Sequence, residues 1–217
     1  MQNNKNTLNN MTYAKTQIFY VHGGNTFRNK REYLHFLKIR NPSIEKKFAW
    51  NDNYLDDKIG KQFHIIRPRM PRQDGATFAE WAIHFERFFP KLKNNLILID
   101  QSLGGIFLAK YLSEHKFPKK ILAAYLVCPP FDNTLPSETL AGGFKLKLDL
   151  SLLEKNCKKL TLIFSKNDEV VPVSHAKKYA AKLKNANILV YKHIKGHFQI
   201  SEFPEIVAMI KSDIRKR

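Results

Sequence analysis

The sequence has few cysteines and no long apolar run. Only two cysteines occur among 217 residues, Cys128 and Cys157. Two are too few for a disulfide framework, so we expect a reducing, cytoplasmic setting. Residues 1–15 are polar and rich in asparagine, without the apolar segment of a signal peptide. The longest apolar run, 121–128, is far shorter than the about 20 residues of a membrane span, so we expect no membrane partner.

Acidic residues are scarce beside basic ones. The chain carries 37 Lys and Arg against 19 Asp and Glu, a formal net charge of +18. Such a balance is typical of proteins that bind nucleic acids or anionic surfaces. The basic clusters are short and scattered, without the interleaved aromatic residues of single-strand binders, which favours no specific nucleic-acid partner. A narrower hypothesis is that Arg67, Arg69 and Arg72 attract anionic substrates.

The length and composition favour one globular domain. Hydrophobic residues make up 43% of the chain and charged residues 26%, as in ordinary globular proteins. At about 150 residues per domain, the length predicts a single domain over 16–217 after a polar tail of 1–15. We expect a monomer or a small homo-oligomer.

Short apolar runs alternate with helical patterns along the chain. The runs that predict buried strands are 17–21, 63–66, 96–99, 121–128, 160–164 and 188–191. Capping patterns at Thr77-x-x-Glu80 and Ser151-x-x-Glu154 predict helix starts. This alternation predicts an α/β fold in three layers, with about six mostly parallel strands and helices on both faces. In the segment 25–60, a helix over 31–39 is expected and the other boundaries stay open.

The first candidate site residue is Ser102. The stretch Asp100-Gln101-Ser102-Leu103-Gly104 follows the third predicted strand directly and precedes an apolar helical segment. A serine in a sharp strand-to-helix turn is typical of a nucleophile elbow, with Gly104 keeping the turn free of steric conflict.

Two further candidates follow later strands. Asp168 comes shortly after the fifth run and His197 follows the sixth. Either alone has an ordinary explanation, an aspartate in a loop turn or a surface histidine. Together, the order Ser, Asp, His at the carboxyl ends of parallel strands predicts a triad in which His197 activates Ser102 and Asp168 orients His197.

An acyl-enzyme mechanism also needs backbone donors for the oxyanion. One is the N–H of Leu103, the residue after the serine. The second is expected in the loop after the first strand, at Gly24, with Gly23 and Asn25 beside it. His193 and His197 have a spacing that suits a metal only on a helix, so we expect no metal site.

The chain resembles the retinoblastoma-binding protein nine family of small α/β hydrolases and its bacterial relatives. The resemblance rests on the ending Gly196-His197-Phe198, followed by Glu202-Phe203, on the elbow at 100–105 and on Asn167-Asp168. It implies a serine hydrolase with esterase-type activity on small esters, little or no lid and no cofactor. It also implies a catalytic triad of Ser102, Asp168 and His197, with Phe198 as a candidate substrate contact.

Two elbow positions depart from that family. Asp100 stands where a small residue is usual, and Gln101 where histidine is frequent. A carboxylate at position 100 is expected to crowd the turn and to repel the oxyanion. This leaves open two alternatives to a carboxylesterase: a weakly active interaction protein with a hydrolase fold, and a basic protein that binds nucleic acid or anionic surfaces.

Overall fold

The fold is built on one parallel sheet. The computed structural model describes residues 15–42, 44 and 49–215. The strands are β1 (Thr16–Val21), β2 (Phe63–Ile66), β3 (Leu96–Asp100), β4 (Ile121–Val127), β5 (Leu160–Asn167) and β6 (Asn187–Lys195). They pair in parallel in the order β2-β1-β3-β4-β5-β6, so the predicted α/β sheet is confirmed. The expected polar tail, 1–15, lies outside the described residues except for residue 15.

Helices connect the strands. They are α1 (Lys30–Ile39), α2 (Leu55–Ile59), α3 (Phe78–Glu86), α4 (Leu103–Glu114), α5 (Ser151–Asn156), α6 (Ser174–Ala180) and α7 (Pro204–Arg215). A π-helical turn (Trp50–Tyr54) precedes α2, and a short 3-10 turn (Phe89–Lys91) follows α3. Within the described ranges, no helix is both long and apolar enough to cross a bilayer.

The sheet separates two hydrophobic layers. Because side chains alternate along a strand, Phe19 and Val21 of β1 face the layer that contains α3, α4, α5 and α6. Ile18 and Tyr20 face the opposite layer, formed by the Trp50 turn, α2 and α7. Both faces of the central strands are thus covered, which explains why those strands are continuously apolar.

The two predicted helix caps have different outcomes. Thr77 precedes α3, and its Oγ1 accepts a hydrogen bond from Glu80 N at 3.4 Å. The prediction that Ser151 caps a helix is wrong, because Ser151 is itself the first residue of α5. Instead, Oδ1 of Asp149 accepts a hydrogen bond from Ser151 N at 2.8 Å.

Helix α1 lies outside both layers. None of its residues is buried. Two of its aromatic rings, Tyr33 and Phe36, pack on Phe27, which precedes the helix. Leu34 and Leu37 stay exposed. The helix expected over 31–39 is thus present, and it flanks the loop that follows β1.

Candidate active site

Ser102 occupies a strained turn between β3 and α4. Its backbone has φ 56° and ψ −120°, a conformation that costs energy in a residue with a side chain and that is typical of functional turns. Ser102 N donates to Val127 O at 2.8 Å, and Gly104 N donates to Gln101 O at 2.9 Å. These bonds fix the elbow against the neighbouring strand.

The elbow is packed so tightly on β1 that side chains would not fit. A Cβ added to Gly104 would lie 2.4 Å from Val21 O, and one added to Gly23 would lie 3.3 Å from Ser102 Cβ. A Cβ at Gly24 would meet Gln73 O at 2.7 Å. The glycines therefore let the loop after β1 approach Ser102 through bare backbone.

His22 and Asn25 hold that loop in place. His22 Nδ1 donates to Gly23 O at 2.6 Å, while its Nε2 accepts from Met70 N at 2.8 Å. Burial lowers the pKa of His22, so the ring is neutral, as these two roles require. Asn25 Nδ2 donates to Asp74 Oδ1 at 2.8 Å. Sequence reasoning did not assign a role to His22, although its place before Gly23 was visible.

Asp168 and His197 form a buried pair. His197 Nδ1 lies 2.8 Å from Asp168 Oδ2 and 3.0 Å from Oδ1. Asp168 Oδ1 also accepts from Val170 N at 2.9 Å and Val171 N at 2.8 Å. The aspartate therefore makes a loop turn and orients the histidine at once. In the neutral ring, Nδ1 carries the proton and Nε2 is the acceptor.

Gln101 and Phe198 hold the backbone of His197 in place. Gln101 Nε2 donates to His197 O at 3.1 Å, and its Oε1 accepts from Asn51 at 2.8 Å. Phe198 has a positive φ of 53° and is buried against Phe203, with ring centroids 5.3 Å apart. Phe198 is thus a core residue, and the expectation that it contacts substrate is corrected.

Cys128 is the neighbour of His197 that sequence reasoning missed. Its Sγ lies 3.8 Å from His197 Nε2. Among the described residues, no hydrogen bond joins Ser102 Oγ to Nε2, so the thiol is the partner of that nitrogen. Cys128 directly follows β4, so the strand-end rule that selects Ser102, Asp168 and His197 could also have selected it.

The electrostatics of the pair favour a protonated His197. Burial lowers the pKa of the ring, whereas the Cys128 sulfur and the hydrogen bond with Asp168 raise it, and the net direction is upward. Burial raises the pKa of the Cys128 thiol, so the thiol is neutral at neutral pH.

Asp100 is fully buried beneath the elbow. Its Oδ1 accepts from Val127 N at 3.1 Å, and its Oδ2 has no partner among the described residues. A Cβ at Gly105 would lie 2.8 Å from Oδ1, so Gly105 makes room for the carboxyl. Burial raises the pKa of Asp100 well above its usual range, which favours the neutral carboxyl. A neutral carboxyl at this position would not repel the oxyanion.

We predict that Asp100→Asn changes how stability depends on pH. The unfolded carboxyl ionises above its ordinary pKa of 3.8, while the folded one stays protonated, so stability falls as the pH rises between the two values. Relative to Asp100→Asn, the wild type should lose roughly 1 kcal/mol of unfolding free energy per pH unit in that interval. Urea denaturation from about pH 5 to 8 measures this. Parallel curves for the two proteins would contradict it.

A cleft lies beside the catalytic elements. Its volume is about 770 Å³, and its walls are α1 and the segment 137–139, within the range of small-molecule sites. The cleft is not lined by Ser102 or His197, but it begins at Asn25, next to Gly24. Glu138 in its wall experiences the charges of His197 and Asp168. The cleft thus adjoins the Ser102 elbow.

Comparisons with known proteins agree with this fold. The sequence model of a family described as serine hydrolase matches residues 50–212. The ydeN gene product of B. subtilis has a similar structure, with a TM-score of 0.67 and 19% identity over 93% of this chain and 100% of that chain. A YdeN-like hydrolase from Pectobacterium atrosepticum has a TM-score of 0.62 and 14% identity, covering 91% of this chain and 90% of that one. The Pyrococcus furiosus esterase Pf2001 has a TM-score of 0.56 and 14% identity, covering 94% and 81%.

Proposed function

The chain belongs to the serine hydrolase family, and from this premise we propose that it cleaves small carboxylic esters through an acyl-enzyme on Ser102. The observation that carries the proposal is the buried Asp168–His197 pair, 2.8 Å apart, at the same sheet edge as the strained Ser102 turn. A serine hydroxyl is a poor nucleophile at neutral pH and needs an adjacent base. His197 is the base that this edge of the sheet provides.

The proposed reaction begins with proton transfer. His197 Nε2 accepts the proton of Ser102 Oγ as the oxygen attacks the ester carbonyl, and then gives it to the leaving alcohol. Asp168 holds the Nδ1 proton and stabilises the imidazolium. The missing hydrogen bond between Ser102 and His197 is compatible with this, because catalytic hydrogen bonds often shorten only when substrate binds.

Two backbone donors are proposed for the oxyanion. Leu103 N opens α4, where the helix dipole favours negative charge. Gly24 N lies in the loop that bare glycine backbone brings against the elbow. The neutral Asp100 adds no opposing charge. Water then attacks the acyl-enzyme with His197 again as base, and it releases the acid and free Ser102.

Hydrolysis of a graded series of p-nitrophenyl esters tests the proposal. We expect turnover of the short acyl esters, with loss of rate once the acyl chain outgrows the cleft beside α1. Intact-mass spectrometry of the quenched enzyme should show one added acyl group. A folded sample that neither hydrolyses any of the esters nor gains an acyl group would refute the proposal.

The alternatives left open by the sequence have less support. An impaired elbow was motivated by an ionised Asp100, and that residue is neutral and accommodated by Gly105. The basic surface is partly neutralised, since Arg67 pairs with Asp56 at 3.0 Å and Arg72 with Glu80 at 3.4 Å. Two of the three arginines proposed to attract anionic substrates are therefore already engaged.

A further inference from the structure

Cys128 is a side chain at the catalytic centre that the proposed reaction does not use. Its Sγ lies 3.8 Å from His197 Nε2, the nitrogen that must remain free for catalysis. We propose that Cys128 and His197 together bind Zn²⁺, and that the bound ion blocks His197 as a base and thereby inhibits hydrolysis.

The separation of the two donor atoms fits a shared zinc ion. Zinc binds thiolate sulfur at about 2.3 Å and imidazole nitrogen at about 2.0 Å, in tetrahedral geometry. These values place the two donors about 3.6 Å apart, close to the 3.8 Å between Sγ and Nε2. Little movement of either side chain is therefore needed to hold the ion.

Asp168 supports this site without being a ligand. Its carboxylate, the sulfur and the imidazole all lie within 4.8 Å of one another, but its oxygens already accept from Nδ1 of His197 and from two backbone amides. A carboxylate on the far nitrogen of a zinc-binding histidine is a recurrent arrangement that orients the ring and makes it a better ligand. The pair that prepares His197 for catalysis thus also prepares it for zinc.

The backbone holds the sulfur in position. Cys128 has a positive φ of 43°, and its N–H donates to Ile163 O at 2.7 Å. The remaining coordination positions would be filled by water from solvent. On binding, zinc–sulfur and zinc–nitrogen bonds form, the S–H bond and the Nε2–H bond of the protonated ring break, and both protons leave to solvent, with no electron transferred. Only two protein ligands are required, so we expect weaker binding than at a four-ligand structural site.

The experiment is a titration of the purified protein with Zn²⁺ alone, followed by calorimetry, and with Co²⁺, followed by absorption. We expect one site per chain and a thiolate-to-cobalt charge-transfer band. Cys128→Ser should weaken binding by at least about 100-fold, more than loss of a supporting residue costs, and should abolish the band. Cys157→Ser is the matched control, because Cys157 is the other cysteine of the chain and should bind as the wild type does.

Two results of these titrations would overturn the inference. It fails if the wild type does not bind Zn²⁺, or if Cys128→Ser binds it as tightly as the wild type. The latter would assign the ion to a surface pair such as His193 and Glu205, which are 2.7 Å apart. His197→Asn provides a second variant and should lose the same affinity as Cys128→Ser. The binding readouts need no turnover, so failure of the ester hydrolysis and failure of the zinc site are distinguishable.

Discussion

Replacing Ser102 with alanine is expected to lower kcat for ester hydrolysis by on the order of 10⁴-fold or more. The substitution removes the oxygen that forms the acyl-enzyme, while the oxyanion donors of the loop and of α4 remain. Covalent labelling by a fluorophosphonate probe should vanish at the same time, because the probe phosphonylates the same oxygen. Steady-state kinetics with an activated ester and in-gel fluorescence measure the two effects.

Ser113 provides a control on the same helix. Its hydroxyl donates to Lys110 O at 2.8 Å within α4, outside the catalytic cluster. Ser113→Ala should hydrolyse and become labelled as the wild type does. Labelling that survives in Ser102→Ala would contradict the assignment, and loss of that residual labelling in the double variant Ser102→Ala/Cys128→Ser would identify the thiol as the reactive group instead.

The strands were predictable because their signal is local. Each of the six apolar runs forms a strand, and the central strands are continuously apolar because both of their faces are covered. The strand ends are predicted less well: β5 continues beyond the run 160–164 to Asn167, and at the sheet edge β6 extends over Asn187–Lys195, where the run 188–191 was expected. Its end contains exposed polar residues such as Lys192 and His193. Pairing with β5 holds these residues in the strand. Because this pairing uses backbone groups, it produces no hydrophobic pattern in the sequence.

The site was predictable to the extent that topology alone determines it. Parallel strands bring their carboxyl ends to one edge, so residues that directly follow strands could be grouped without coordinates. The protonation state and the contacts of each side chain could not be predicted in this way. Asp100 is neutral because the layers around β3 exclude water from it, and the role of Cys128 depends on a contact across 69 residues of sequence. Both depend on packing between distant segments.

The positive charge of the chain is a further property whose role depends on contacts between distant segments. Arg67 was grouped with Arg69 and Arg72 because all three follow the second strand. In the fold, Arg67 Nε donates to Asn51 O at 2.9 Å and its guanidinium pairs with Asp56. It therefore fastens the Trp50 turn to β2. A charge count along the sequence cannot separate such a structural arginine from one that is free to attract a ligand.

Asp168→Asn is expected to lower kcat by about 10⁴-fold and to shift the pH dependence of hydrolysis. The wild-type rate should rise with pH as His197 loses its proton, because only the neutral ring can accept one from Ser102. The raised pKa of His197 places this rise above pH 6.5, the ordinary value of the group. The amide carries no charge to stabilise the imidazolium, so the residual activity of the variant should rise at lower pH than that of the wild type.

Glu138→Gln is the matched control for the loss of an acidic group. Its carboxyl interacts with His197 only through its charge, whereas Asp168 also fixes the ring through Nδ1 at 2.8 Å. Glu138→Gln should therefore move the rise in kcat/KM slightly toward lower pH and leave most of kcat. Equal losses in the two variants would mean that Asp168 acts through charge alone. An Asp168→Asn enzyme with wild-type kcat would show that His197 is not the base, because a base whose tautomer and orientation are lost cannot keep its rate.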